Sequence, residues 1–134
     1  MPDKAFFDTN VLIYAVAQRD SRTPQAERLL MGGGVISVQV LNEFASVARR
    51  KLRMPWPDVR EALQSIRFLC PRPVPILLAT HDLALQIADR YAYEIYDALV
   101  IAAALKAKCN ILFSEDLQDG QIIDKRLTIR NPFK

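Results

Sequence analysis

Ala5-Phe6-Phe7-Asp8-Thr9-Asn10-Val11-Leu12-Ile13-Tyr14-Ala15-Val16-Ala17 is the stretch on which the reading of the fold turns. Ala5 to Phe7 is a short apolar run that suits a buried strand. Asp8-Thr9-Asn10 is a polar turn, and Val11 to Ala17 continues as a helical stretch. A strand that passes through a polar turn straight into a helix is the opening of an α/β unit.

The pattern repeats downstream. Thr23 caps a helix through Met31, with Pro24 at its first position, and Gly32-Gly33-Gly34 stops it. Val35 to Val38 reads as a second strand. It leads into a helix from about Gln39 to Arg53, with Leu41, Phe44, Ala45, Ala48 and Leu52 on one face. Five of the eight prolines lie between Pro55 and Pro75 and bracket a helix from Asp58 to Leu69. Val74 to Leu78 reads as the third strand, and Thr80 caps a helix carrying Leu83, Ile87 and Tyr91. Asp97 opens a helix from Ala98 to Lys108 that is apolar nearly all round, and so is expected to be buried. Asn110 to Phe113 is a fourth strand ending at Ser114-Glu115-Asp116, and Leu127 to Ile129 a last, edge strand. With no repeat and no linker, the alternation predicts one α/β domain over residues 1–134 with a mostly parallel sheet.

The 134 residues are 51% hydrophobic and 25% charged, which excludes a disordered tail and suits one domain with a real core. The longest unbroken apolar run, Ala98 to Leu105, is far short of the roughly 20 residues of a membrane span. Ala15-Val16-Ala17 mimics a secretory cleavage site, but Asp3, Asp8 and Asn10 interrupt the pattern a signal needs. The expected location is cytoplasmic. Cys70 and Cys109 stand in no CxxC and beside no histidine, and are expected to be ordinary core thiols.

In open parallel sheets, ligands bind at the carboxyl ends of the strands. Asp8 follows the first strand and Asp116 the fourth. Asp97 begins the most buried helix, and Glu43 lies early in the helix after the second strand. Each acid has a plain reading on its own. Asp8, Asp97 and Asp116 suit turn or helix-cap positions, and Glu43 belongs to a polar stripe with Gln39, Ser46 and Arg50. Their joint placement at one end of the sheet is what points to chemistry. Clustered carboxylates repel, so some protonate or a cation joins them. Hard oxygen donors without histidine or cysteine select Mg²⁺ or Mn²⁺. Such a centre clamps a phosphodiester and activates water for in-line attack.

Four segments also match a known pattern in order and over essentially the whole chain. They are Phe6-Phe7-Asp8-Thr9-Asn10-Val11-Leu12, Ile36-Ser37-Val38-Gln39-Val40-Leu41-Asn42-Glu43-Phe44, Tyr96-Asp97-Ala98-Leu99-Val100-Ile101-Ala102-Ala103-Ala104, and Leu112-Phe113-Ser114-Glu115-Asp116-Leu117-Gln118-Asp119-Gly120. In these the chain resembles a PIN domain, nearest to the VapC-type ribonuclease toxins of bacterial toxin–antitoxin pairs. The resemblance implies a Rossmann-like three-layer α/β/α sandwich and a Mg²⁺- or Mn²⁺-dependent endoribonuclease. It makes Asp8, Glu43, Asp97 and Asp116 the acidic centre, with the metal mainly on Asp8, Asp97 and Asp116. Glu43 then positions or deprotonates the attacking water, or completes a second metal site. Thr9 and Ser114 support the centre by hydrogen bonding, and Glu115 reaches the metal through water. Asp119-Gly120 is more simply a turn pair. The resemblance further implies a homodimer and a small antitoxin that covers the groove, expected on the helices from Gln39 to Leu69.

The net charge is +3, from 18 basic and 15 acidic residues. Arg49, Arg50, Lys51 and Arg53 are the densest basic run, placed either to grip an RNA backbone or as a solvated helix end that suits the dipole. Trp56, between two prolines, is either a partner anchor or packed on its own hairpin. His81 has no partner at metal-ligand spacing and reads as a surface or capping residue. Two other function classes compete. Phosphoryl transfer is disfavoured because Asp8-Thr9-Asn10 lacks a second acid two residues on, and no lysine follows Asp116 in its loop. A non-catalytic RNA- or protein-binding module on the same fold remains the alternative, set against the intact acid set.

Overall fold

The structure, a computed structural model, describes residues 3–134. Its elements run β1 (Ala5–Phe7), α1 (Thr9–Val16), α2 (Thr23–Met31), α3 (Val38–Arg50), α4 (Trp56–Leu69), α5 (Leu78–Tyr91), α6 (Ile95–Lys106), β2 (Ile111–Phe113), β3 (Ile122–Ile123) and β4 (Leu127–Arg130). The strands form one sheet in the order β1-β2-β4-β3, parallel except for the antiparallel β3–β4 pair. Two isolated parallel bridges extend it on the far side of β1, Phe6 with Val35 and Ser37 with Val74. Across the sheet the parallel positions therefore run 74, 35–37, β1, β2, β4. Chain order reverses between β1 and β2, and such a switch point is where a doubly wound sheet opens its crevice.

The segments expected as full strands over Val35–Val38 and Val74–Leu78 contribute only those single bridges. Pro71, Pro73 and Pro75 remove N–H donors around Val74, which shortens any ladder there. Ser37 turns out of the sheet to cap α3, its hydroxyl accepting Val40 N–H at 3.2 Å. Helix α5 begins earlier than expected, with Leu77 as its N-cap. Thr80 is one turn inside, where its hydroxyl accepts Leu77 N–H at 3.2 Å. Thr23 is likewise inside α2, behind Arg22, and donates to the Tyr14 carbonyl at 2.6 Å. The last strand, expected at an edge, lies between β2 and β3. Two-residue β3 is too short to be read from periodicity and is what covers it.

Helix α6 carries the largest share of the core. Ala98, Val100 and the run from Ile101 to Leu105 are all buried, and their small side chains let the helix lie close to its neighbours. It packs on α5, whereas α1 packs on α2 and α3, and α4 on α2 and α3. Right-handed crossovers put those two groups on opposite faces of the sheet, which makes the α/β/α sandwich. Gly34 allows one close approach. A Cβ there would stand 2.5 Å from the Phe7 ring and 3.0 Å from the Ala5 carbonyl. Cys70 and Cys109 are free and buried, and burial pushes both thiols up to about 11, as befits core residues.

Candidate active site

Asp8 N–H bonds the Phe113 carbonyl at 3.0 Å, so the residue after β1 is delivered to the crevice beside β2. Asp8 has extended backbone and is the N-cap of α1. Its Oδ1 accepts Thr9 N–H at 2.7 Å and its Oδ2 accepts the Ser114 hydroxyl at 2.8 Å. One residue is thus both cap and site residue. It is only 6% exposed. Burial pushes its carboxyl up to about 6, the hydrogen bonds from Ser114 and Thr9 pull against that, and the charges of Glu43 and Asp116 add to it.

The turn after β2 is organised around the fully buried Ser114. Besides donating to Asp8, its Oγ accepts the N–H groups of Asp116 at 3.2 Å and Leu117 at 3.3 Å. Asn10 then bridges the two turns. Its amide donates to Asp116 Oδ2 at 3.2 Å, and its Oδ1 accepts Glu115 N–H at 3.3 Å. Glu115 does not face the acids as expected. Its carboxylate accepts the Tyr14 hydroxyl and takes an ion pair from Arg22 at 3.2 Å, because a guanidinium and a phenol wait on the other side of the turn.

Glu43 lies one turn into α3, with both oxygens engaged. Thr9 Oγ1 donates to Oε2 at 3.1 Å and Gln39 Nε2 to Oε1 at 2.6 Å. Gln39 also reaches the Tyr96 carbonyl at 3.0 Å, which ties α3 to the start of α6. There Glu94 is the N-cap and accepts Asp97 N–H at 2.8 Å, so Asp97 sits in the first turn of α6 and not at its boundary. Burial raises the Asp97 carboxyl above its ordinary value, followed by the charges of Glu94, Asp116 and Glu43.

The four acids therefore come from four segments and lie within electrostatic reach, with Glu43 and Asp116 acting on both Asp8 and Asp97. Among the described residues no three acids, histidines or cysteines stand close enough to hold one ion together. The site fits a hard divalent cation in donor chemistry, being all carboxylate oxygen. A cleft of about 340 Å³ runs alongside, walled by Thr9, Asn10, Tyr14, Glu43, Lys51 and Asp116. Of the basic run, Lys51 alone lines this cleft. Arg49 lies over the Trp56 ring at 4.8 Å and donates to the Met54 carbonyl at 3.0 Å. Arg50 donates to Ser46 at 3.1 Å. Arg53 is exposed beyond the helix, with a left-handed φ of 55°. Trp56 keeps 54% of its surface exposed even with Arg49 over it.

Asn10, Gln39 and Glu94 belong to the site without having been singled out in the sequence. Asn10 was legible only as part of a turn, and Gln39 only as a polar stripe four residues before Glu43.

Taken together, the structure is a doubly wound α/β sheet with four acids gathered near its switch point. The family model described as PIN domain matches residues 5–119, and the chain belongs to the PIN domain family. The fold recurs in a Mycobacterium tuberculosis structure, VapC20, described as a sarcin–ricin loop cleaving toxin. That match has 22% identity, covers 84% of this chain and 92% of the other, and has a TM-score of 0.69. A chain of a toxin–antitoxin complex from Klebsiella pneumoniae matches at 18% identity over 98% of this chain and 99% of its own, with a TM-score of 0.74. VapBC2 from Rickettsia felis, bound to a fragment of its promoter DNA, matches at 16% over 95% and 97%, with a TM-score of 0.68. No curated protein matches the sequence.

Proposed function

We propose that this chain is a divalent-cation-dependent endoribonuclease and the toxin of a toxin–antitoxin pair. The observation that carries the reading is the placement of Asp8, Glu43, Asp97 and Asp116 at one switch point of a PIN fold. Asp8, Asp97 and Asp116 would hold Mg²⁺ or Mn²⁺, with Glu43 beside them. Such a cation, when bound, polarises the phosphodiester and makes a bound water acidic enough to attack. The chain's own residues then divide the remaining work. Ser114 and Thr9 N–H fix the Asp8 carboxylate, and Asn10 fixes Asp116. Thr9 and Gln39 each satisfy one lone pair of Glu43, so each of its oxygens keeps another for a water proton. Lys51 receives an RNA phosphate at the cleft wall.

The toxin reading is supported by the solved chains of the same fold, one described as a toxin that cleaves an RNA loop and another seated in a toxin–antitoxin complex. An antitoxin has a fitting place. A mainly apolar groove of about 430 Å³ lies between α1, α2 and α4, walled by Leu30, Met31, Ile66 and Leu69, with Glu27 and Glu61 also lining it. It suits an apolar partner segment carrying basic residues. The groove shares α4 with the region expected from the sequence but uses α1 and α2 in place of α3. Leu77, Leu78 and Leu85 are exposed on and before α5, which supports a homodimer contact there. Among the described residues no helix is long and apolar enough to cross a membrane.

Incubating the purified chain with RNA tests the reading. Cleavage with Mg²⁺ or Mn²⁺ that stops with EDTA is expected; intact RNA under both conditions contradicts it. The second reading is a non-catalytic RNA-binding module on the same fold, in which acids that do not converge in threes hold no cation. RNA binding without calorimetric heat from Mn²⁺ would select it.

A further inference from the structure

The acid adjacent to Asp116 is engaged by a cluster that the proposed chemistry does not use. The Arg22 guanidinium lies 3.7 Å from the centroid of the Tyr14 ring and donates to its hydroxyl at 2.7 Å. It also donates to Glu115 at 3.2 Å, and the Tyr14 hydroxyl donates to the same carboxylate. Asp20 fixes the guanidinium from behind, accepting Arg22 Nε and Nη2, each at 2.9 Å. Phe133 meets the Tyr14 ring edge-on at 5.1 Å. Burial, followed by Glu115, pushes the Tyr14 phenol up to about 12, which keeps it protonated and donating.

The placement matters because Glu115 and Asp116 share one turn, and Tyr14 and Asp116 wall the same cleft. A loosened turn would release the contacts through which Asn10 holds Asp116 Oδ2 and Glu115 N–H. We propose that Arg22, stacked on Tyr14, is a positioning residue that pins Glu115 and thereby fixes the turn in which Asn10 holds Asp116 at the cleft. This rests on the nuclease reading above. It goes beyond it by assigning a task to a residue outside the four acids.

Two measurements on Arg22→Ala test it. In the cation-free protein, amide hydrogen exchange at Glu115, Asp116 and Leu117 is expected to speed up at least about tenfold, while α6 stays protected. Calorimetric Mn²⁺ affinity is expected to fall about tenfold, the scale seen when supporting partners of metal ligands are lost. Arg22→Lys keeps the charge but loses the fork and the stack, and should fall between the two. Unchanged Mn²⁺ affinity beside faster exchange would overturn the proposal, leaving a structural contact only. Unchanged exchange would overturn it as well. If Arg22→Ala exchanges throughout the chain, Glu115→Gln removes only the charge that Arg22 holds and is read by the same two criteria. A wild-type chain that binds no Mn²⁺ would instead overturn the nuclease reading, and the clamp's purpose with it.

Discussion

The Ser114 hydroxyl donates to Asp8 Oδ2 across 2.8 Å and thereby joins the turns that follow β2 and β1. Both residues are buried, and the same oxygen accepts two N–H groups of its own turn. Ser114→Ala removes all three contacts and leaves an under-satisfied buried carboxylate. The expected loss is about 1–3 kcal/mol in urea denaturation at neutral pH. An unchanged midpoint would show that the turn holds without the hydroxyl.

Asp8 makes stability depend on pH in an uncommon direction for a carboxylate. It titrates near 6 in the folded chain against 3.8 as its ordinary value. Between those values the folded chain keeps a proton that the unfolded chain has released. The stabilising contribution is therefore full below about pH 4 and is lost as pH rises through 6. A shift of that size corresponds to roughly 3 kcal/mol. Asp8→Asn in the cation-free protein is expected to be about 2 kcal/mol more stable at pH 7.5, one hydrogen bond being lost. The advantage should vanish below pH 4. A variant no more stable than wild type at pH 7.5 would contradict the burial argument.

The basic run divides into unlike parts. Lys51→Ala should weaken RNA binding about fivefold and lower the slope of log affinity against log salt by about 0.7, one phosphate contact. Arg49→Ala should leave RNA binding unchanged and cost about 0.5–1 kcal/mol of stability, through the contact with Trp56. Salt-dependent binding titrations distinguish them; equal effects on binding would contradict the division.

Gly34→Ala places a methyl against the Phe7 ring at 2.5 Å. A loss of about 1–3 kcal/mol is expected from the resulting shift of β1, read by thermal melting. No loss would mean that β1 moves freely, which the buried Phe6 and Phe7 argue against.

The helices and the α/β class were legible because α3 and α4 carry strong periodic signals and α6 carries the unbroken apolar run from Ala98 to Leu105. The positions 35–38 and 74–78 misled because an apolar run bounded by glycine or proline looks like a strand whether or not it finds a ladder. Here the prolines and the Ser37 cap end the pairing at single bridges. At the site, Asp8, Asp97 and Asp116 were legible because they follow a strand or open a helix, and Glu43 only as part of the polar stripe of α3. The direction of each side chain was not. Glu115 and Asp116 are neighbours of like charge, and only the tertiary placement of Arg22 and Asn10 tells them apart. The arginine comes from the loop after α1, more than ninety residues away.

The central claim is that the four acids act together on RNA, and Asp97→Asn tests it most directly. The substitution keeps the size of the side chain, and the Glu94 cap accepts the backbone N–H of residue 97 whatever its side chain. Cleavage of RNA in Mg²⁺ or Mn²⁺ is measured beside wild type, with circular dichroism confirming the fold. The account predicts that the wild-type chain cuts RNA and that the folded variant loses at least about a hundredfold in rate. A folded Asp97→Asn chain that cuts at the wild-type rate would contradict it.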